Sequence, residues 1–145
     1  MLDSPVEFKE TARIHEYLVE LRISGKELDP AAITKELKLQ PSTVRRVGDL
    51  IGSKRVELAL WGYNGSDSEE TLSWNSLDDG LMFLLNKLNP VRSTLEQYKT
   101  RHTMIFWCGH FQSSFDGGPT LSASLFRALG ELGVPVFIDN YFSAQ

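Results

Sequence analysis

The sequence holds one cysteine, Cys108, so no disulfide can close within the chain. That excludes a cystine-stapled miniature fold and fits a reducing compartment. It also lacks any apolar run near the ~20 residues a helix needs to cross a bilayer, so no membrane association is expected. The first ten residues, MLDSPVEFKE, carry acids and no apolar segment behind a basic start. A secretory signal is therefore not expected and a cytoplasmic location is. Positive charge is scarce as well, with 15 basic against 19 acidic residues. A nucleic-acid binder needs a basic face to neutralise phosphates. The nearest approach to one is Arg45-Arg46 with Lys54-Arg55 around a Gly48-Asp49 turn, which reads as solvated surface. Nucleic acid is not the expected partner.

What remains is ordinary globular material. Hydrophobic residues make up 41% and charged residues 23% of 145 residues, enough to build one core without staples. There is no internal repeat and no linker, so residues 1–145 are expected to form a single domain. The net charge of −4 is concentrated in one stretch. Between positions 61 and 98, Lys87 and Arg92 face Asp67, Glu69, Glu70, Asp78, Asp79 and Glu96, while the segments on either side are balanced.

Residues 1–11 read as a polar lead-in. From Ala12 the period is two, with Tyr17, Val19, Leu21 and Ile23 on one face and Glu16, Glu20 and Arg22 on the other, as in a strand with one wet side. Asp29-Pro30 is a helix start, cap then proline, and Leu39-Gln40-Pro41 closes that helix. A glycine-bearing loop spans 41–54. The stretch RVELALWGY is expected as a strand presenting Val56, Leu58 and Leu60 opposite Glu57, Ala59 and Trp61. Asn64-Gly65 suggests a hairpin to a strand over Thr71–Trp74. Ser76 caps a helix whose stripe of Leu77, Leu81, Leu84, Leu85 and Leu88 runs on past Pro90 to Leu95 and Tyr98, as one kinked helix or two in series. HTMIFWCGHF is expected as an apolar central strand with Trp107 in the core. A helix from Thr120 or Ser122 to a Gly133 cap and a final strand VPVFIDNYF complete the chain. The order is β-α-β-β-α-β-α-β. This predicts an α+β fold, a mixed sheet with helices packed against it, whose first six elements have the order of a ferredoxin-like split βαβ unit.

These pieces carry a family resemblance. ISGKELDPAAITKELKLQP, the following VGD, WGYNGSDSEETLSW, LLNKLNP and GGPTLSASLFRALGELGVPVFIDNY together resemble the bacterial family called domain of unknown function 4279, over about residues 12–141. The matching positions are Gly25, Leu28, Asp29 and Pro30 at the first helix and Pro41, Gly48 and Asp49 in the long loop. Trp61 and Trp74 match in the tryptophan-bearing segment, and Leu121, Ser122, Leu129 and Gly133 at the last helix. The resemblance implies a small single-domain protein of the bacterial cytoplasm. Some such families act as immunity proteins that neutralise a toxin encoded by a neighbouring gene. It supplies no catalytic residues.

Chemistry must then come from the residues. Cys108 and His110 stand two apart on a strand, hence on one face, but zinc sites space their first pair more widely and need two further ligands. No metal site and no cofactor is expected. Cys108 lies in apolar surroundings that would hold its thiol protonated, and the adjacent acid pairs Asp78-Asp79 and Glu69-Glu70 do not converge as catalytic carboxylates must. No catalytic residue is assigned, and whether the chain is an enzyme is left open. Two readings follow. In the first, the protein binds a partner protein, a toxin or another basic protein, through an aromatic set beside acid: Trp61, Asp67, Glu69, Glu70 and Trp74. In the second, a small enzyme or an anion or small-ligand site is formed by the 108–119 loop, with Cys108, His110, Phe111, Asp116, Gly117 and Gly118.

Overall fold

The computed structural model describes residues 14–143; the polar lead-in at 1–11 lies outside them. The first strand, β1 (His15–Gly25), is followed by α1 (Pro30–Leu37) and three short strands, β2 (Thr43–Arg45), β3 (Leu50–Ile51) and β4 (Lys54–Arg55). After β5 (Ala59–Tyr63) come α2 (Leu77–Leu88), a 3-10 turn at Asn89–Val91 and α3 (Arg92–Arg101). The chain ends with β6 (Thr103–Gln112), α4 (Ala123–Leu132) and β7 (Val136–Phe142). Five strands form one sheet in the order β2-β5-β1-β6-β7, antiparallel throughout except for the β6–β7 pair. An α+β fold with a mixed sheet and helices against it is what the alternation and capping signals predict.

The helix ends follow their local chemistry. The Asp29 carboxylate accepts the Ala31 N–H at 3.1 Å and Pro30 opens the first turn. That helix ends earlier than expected, because Lys38 adopts a left-handed φ of 58° and returns its N–H to the Thr34 carbonyl. Ser76 and Ser122 cap α2 and α4 through their hydroxyls, and Gly133 closes α4 at φ 73°. Pro90 falls in the 3-10 turn that joins α2 to α3, so the leucine stripe runs along two helices in series.

One face of the sheet is closed by the helices. Tyr17, Val19, Leu21 and Ile23 of β1 point into a single core with Met104, Phe106 and Cys108 of β6 and with the apolar residues of α1 to α4. Three expectations are corrected here. In β5 the buried set is Ala59, Trp61 and Tyr63, while Leu58 is exposed. From Ala59 on neither alternating set carries a charge, and the core takes the one whose rings fill it, with Trp61 stacked on Tyr63 and its Nε1 donating to Thr34 Oγ1 at 2.9 Å. The Asn64-Gly65 hairpin does not form: β5 pairs with β1 and β2, and Thr71–Trp74 reduces to one bridge between Trp74 and Tyr17. Asn64 instead accepts the Ser66 N–H and donates to the Glu70 carbonyl, which rounds the segment into a wide loop. Trp107 is the third correction. Met104, Phe106, Cys108 and His110 point inward, so the intervening Trp107 stands on the opposite face and is partly exposed.

Candidate functional site: the helix-free face of the sheet

The opposite face is built from the other half of each alternation. Register places Glu20 beside Trp107, Arg22 beside Ile105, Trp107 beside Phe137 and Phe111 beside Tyr141. Two strand glycines set its shape, and glycine inside a strand costs stability unless something must come close. A Cβ on Gly62 would stand 2.7 Å from the Glu20 carboxyl carbon, and one on Gly109 would stand 2.7 and 2.8 Å from the rings of Trp107 and Phe111. The two glycines therefore let a carboxylate and two rings lie flat on the sheet.

Glu20 is 7% exposed, the one acid buried among the described residues. A buried carboxylate needs full satisfaction. It accepts Arg22 Nε at 2.8 Å, Ser42 Oγ at 2.6 Å and Thr43 Oγ1 at 2.7 Å. The Arg22 guanidinium lies 4.1 Å above the centre of the Trp107 ring. Trp107 Nε1 donates to Asp139 Oδ2 at 3.2 Å, and the Tyr141 hydroxyl donates to the same oxygen at 2.6 Å. That bond, ahead of burial and the Asp139 charge, raises the Tyr141 pKa. One polar chain thus crosses from β2 through β1 and β6 to β7. Around it stand partly exposed rings, Phe111, Phe137 and Tyr141.

The 64–72 loop folds over one end of this face and leaves a cleft of about 210 Å³ whose lining includes Leu18, Glu20, Asn64, Glu69, Glu70 and Trp107. Neither Glu69 nor Glu70 has an ion-pair partner among the described residues. An aromatic ring and two acids therefore line one cleft, with a different ring from those expected. Trp61 is fully buried and Trp74 is 6% exposed, both on the core side. Trp74 packs against Phe83 of α2, and its Nε1, close to Gly80, has no hydrogen-bond partner among the described residues. Asp67 is occupied, accepting from the Tyr63 hydroxyl at 2.9 Å and pairing with Lys87 at 3.5 Å. Burial, then this bond and the Asp67 charge, raise the Tyr63 pKa. Of the five residues named as a partner surface, Glu69 and Glu70 line the cleft and the two tryptophans do not.

The 108–119 segment has a different organisation. Cys108 is fully buried, and desolvation pushes its thiol up to about 12. His110, also buried, stacks on Tyr17. Its Nε2 meets His15 Nδ1 at 2.8 Å and its Nδ1 meets Asn140 Oδ1 at 2.9 Å, while His15 Nε2 donates to the Asp116 carbonyl at 2.5 Å. All four imidazole nitrogens are engaged within the protein. The pair ties the loop at Asp116 and Gly117 to β1, with His15 Nε2 3.4 Å from where a Gly117 Cβ would be. Gly118 has open space beside it, and Phe111 belongs to the aromatic face. Among the described residues no group of three or more His, Cys, Asp or Glu is placed to share a metal ion, and no helix is long and apolar enough to cross a membrane.

The alternation set Glu20 and Arg22 on the wet side of β1 without naming them as site residues, and it singled out none of Gly62, Gly109 and Asp139 for this face. Glycines inside two apolar strands were the available signal, because each asks what lies close to the backbone there. Comparison with known proteins adds one result: residues 15–143 match the family described as domain of unknown function DUF4279. No curated protein and no solved structure matches the chain.

Proposed function

The chain belongs to the DUF4279 family, and from that premise we propose that it is a protein-binding domain whose helix-free sheet face receives a basic partner. The observation that supports this reading is the cleft lined by Trp107 together with Glu69 and Glu70, acids without an ion-pair partner among the described residues. Partly exposed rings beside it supply apolar contact area, and acids at a rim steer a cationic partner. The narrower reading is an immunity-type factor of the bacterial cytoplasm that neutralises such a partner. In fold terms, the order β2-β5-β1-β6 reads as a ferredoxin-like split βαβ unit with α4 and β7 appended. The test is affinity capture with the products of neighbouring genes included, followed by association rates for the captured protein. Replacing Glu69 and Glu70 with glutamine should slow association about tenfold at low salt and flatten its salt dependence. No captured partner, or equal rates and equal salt slopes, overturns the proposal.

A further inference from the structure

β7 is an edge strand, and the backbone of its outer side can be assigned residue by residue. Phe106 N–H donates to the Pro135 carbonyl at 2.9 Å and Ser143 N–H to the Gln112 carbonyl at 3.0 Å. In a parallel ladder the bonded residues alternate, so Phe137, Asp139 and Tyr141 also turn their amides toward β6. Val136, Ile138, Asn140 and Phe142 turn theirs to the outer edge, where no strand pairs with β7 among the described residues. Natural edges are commonly blunted with lysine, proline or a bulge. VFIDNYF has none of these and one charge, Asp139, flanked on its own face by Phe137 and Tyr141.

We propose that this edge receives an extended segment of the partner as a sixth strand, with a basic residue facing Asp139 and apolar residues two positions to either side. The inference rests on the reading of the chain as a binding domain and specifies how the partner docks. Charge decides between a partner and a second copy of this chain. The antiparallel self-pairing that uses all four outward residues sets Val136 against Phe142 and Ile138 against Asn140. Asp139 then stands opposite its own symmetry mate, and like charges directly opposite destabilise a pair. A lysine or arginine there is complementary, because the nearby Arg22 is already engaged by Glu20 at 2.8 Å. Main-chain bonds at the edge give affinity in this mode, and alternate side chains give specificity.

The test uses two synthetic peptides of alternating threonine and valine, one with a central lysine and one with a central glutamate. Binding is followed by amide exchange and by affinity. The lysine peptide should bind about fivefold more tightly than the glutamate peptide and protect the amides of Val136, Ile138, Asn140 and Phe142. Asp139→Asn keeps an acceptor for Trp107 and Tyr141 and should erase the preference. Ile138→Pro removes an outward N–H and should abolish binding, with circular dichroism reporting whether it folds; if it does not, Asp139→Asn decides. Equal affinities, no binding by either peptide, protection elsewhere, or protection of these amides in a peptide-free dimer would overturn the inference. A captured partner that loses affinity through Glu69→Gln and Glu70→Gln while the peptides fail would sink the edge and spare the cleft. Peptide binding with an indifferent cleft would do the reverse.

Discussion

The two faces of the same sheet are built by opposite means. On the core side, large apolar side chains of β1, β5 and β6 meet four helices. On the other side, glycines at 62 and 109 remove bulk, and long polar and aromatic side chains lie down to cover the strands. The first face is filled by volume, the second by hydrogen bonds and flat rings. A face of the second kind keeps its backbone covered yet leaves ring surface and charge for another molecule.

The contrast breaks most visibly under truncation. Trp61→Ala, on the closed face, should cost about 3 to 5 kcal/mol in urea denaturation, since it empties a fully buried site and removes the indole's hydrogen bond to Thr34. Gly109→Ala should cost about 1 to 3 kcal/mol by lifting the Trp107 and Phe111 rings; an unchanged denaturation midpoint would show that the rings are free to move aside. Trp107→Ala, on the open face, should cost only about 1 to 2 kcal/mol, for its cation–π contact and partial burial. A loss as large as that of Trp61 would erase the distinction between the faces. Asp29→Ala, far from either, should cost about 1 kcal/mol by uncapping α1.

Proton linkage sharpens the comparison further. Burial raises the Cys108 thiol from 9.0 to about 12. The folded state then holds its proton where the unfolded state releases it. The stability tied to the neutral thiol is complete below pH 9.0, falls as pH rises above it, and is gone past about 12. Thiol labelling at pH 8 should accordingly track the global unfolding rate across urea concentrations. Rapid labelling of the native protein would place Cys108 outside the closed face.

Local signals in the sequence carried the helix ends, since Asp29, Ser76, Ser122 and Gly133 act within a turn of their own position. The alternation of β1 was equally legible, because its two faces differ in polarity. Residues 59–63 were not: neither alternating set carries a charge there, and only tertiary packing selects Trp61 and Tyr63 for the core. The hairpin at Asn64-Gly65 failed because the Asn64 side chain was engaged in building a wider loop. Of the candidate site, the acidic segment was readable from composition. The ring beside it was not, since Trp107 and Glu69 come together only through pairings between distant strands. The same holds for His15 and His110, joined across ninety-five positions.

The arrangement of the tryptophans makes the molecule its own optical gauge. Trp61 and Trp74 are sealed in the core, whereas Trp107 sits on the open face under a guanidinium. Acrylamide should therefore quench one class of emitter and spare the other, and the quenchable fraction belongs to the surface where a partner would land. Docking there would be seen as loss of quenching without any added dye, and Trp107→Phe would darken that signal alone.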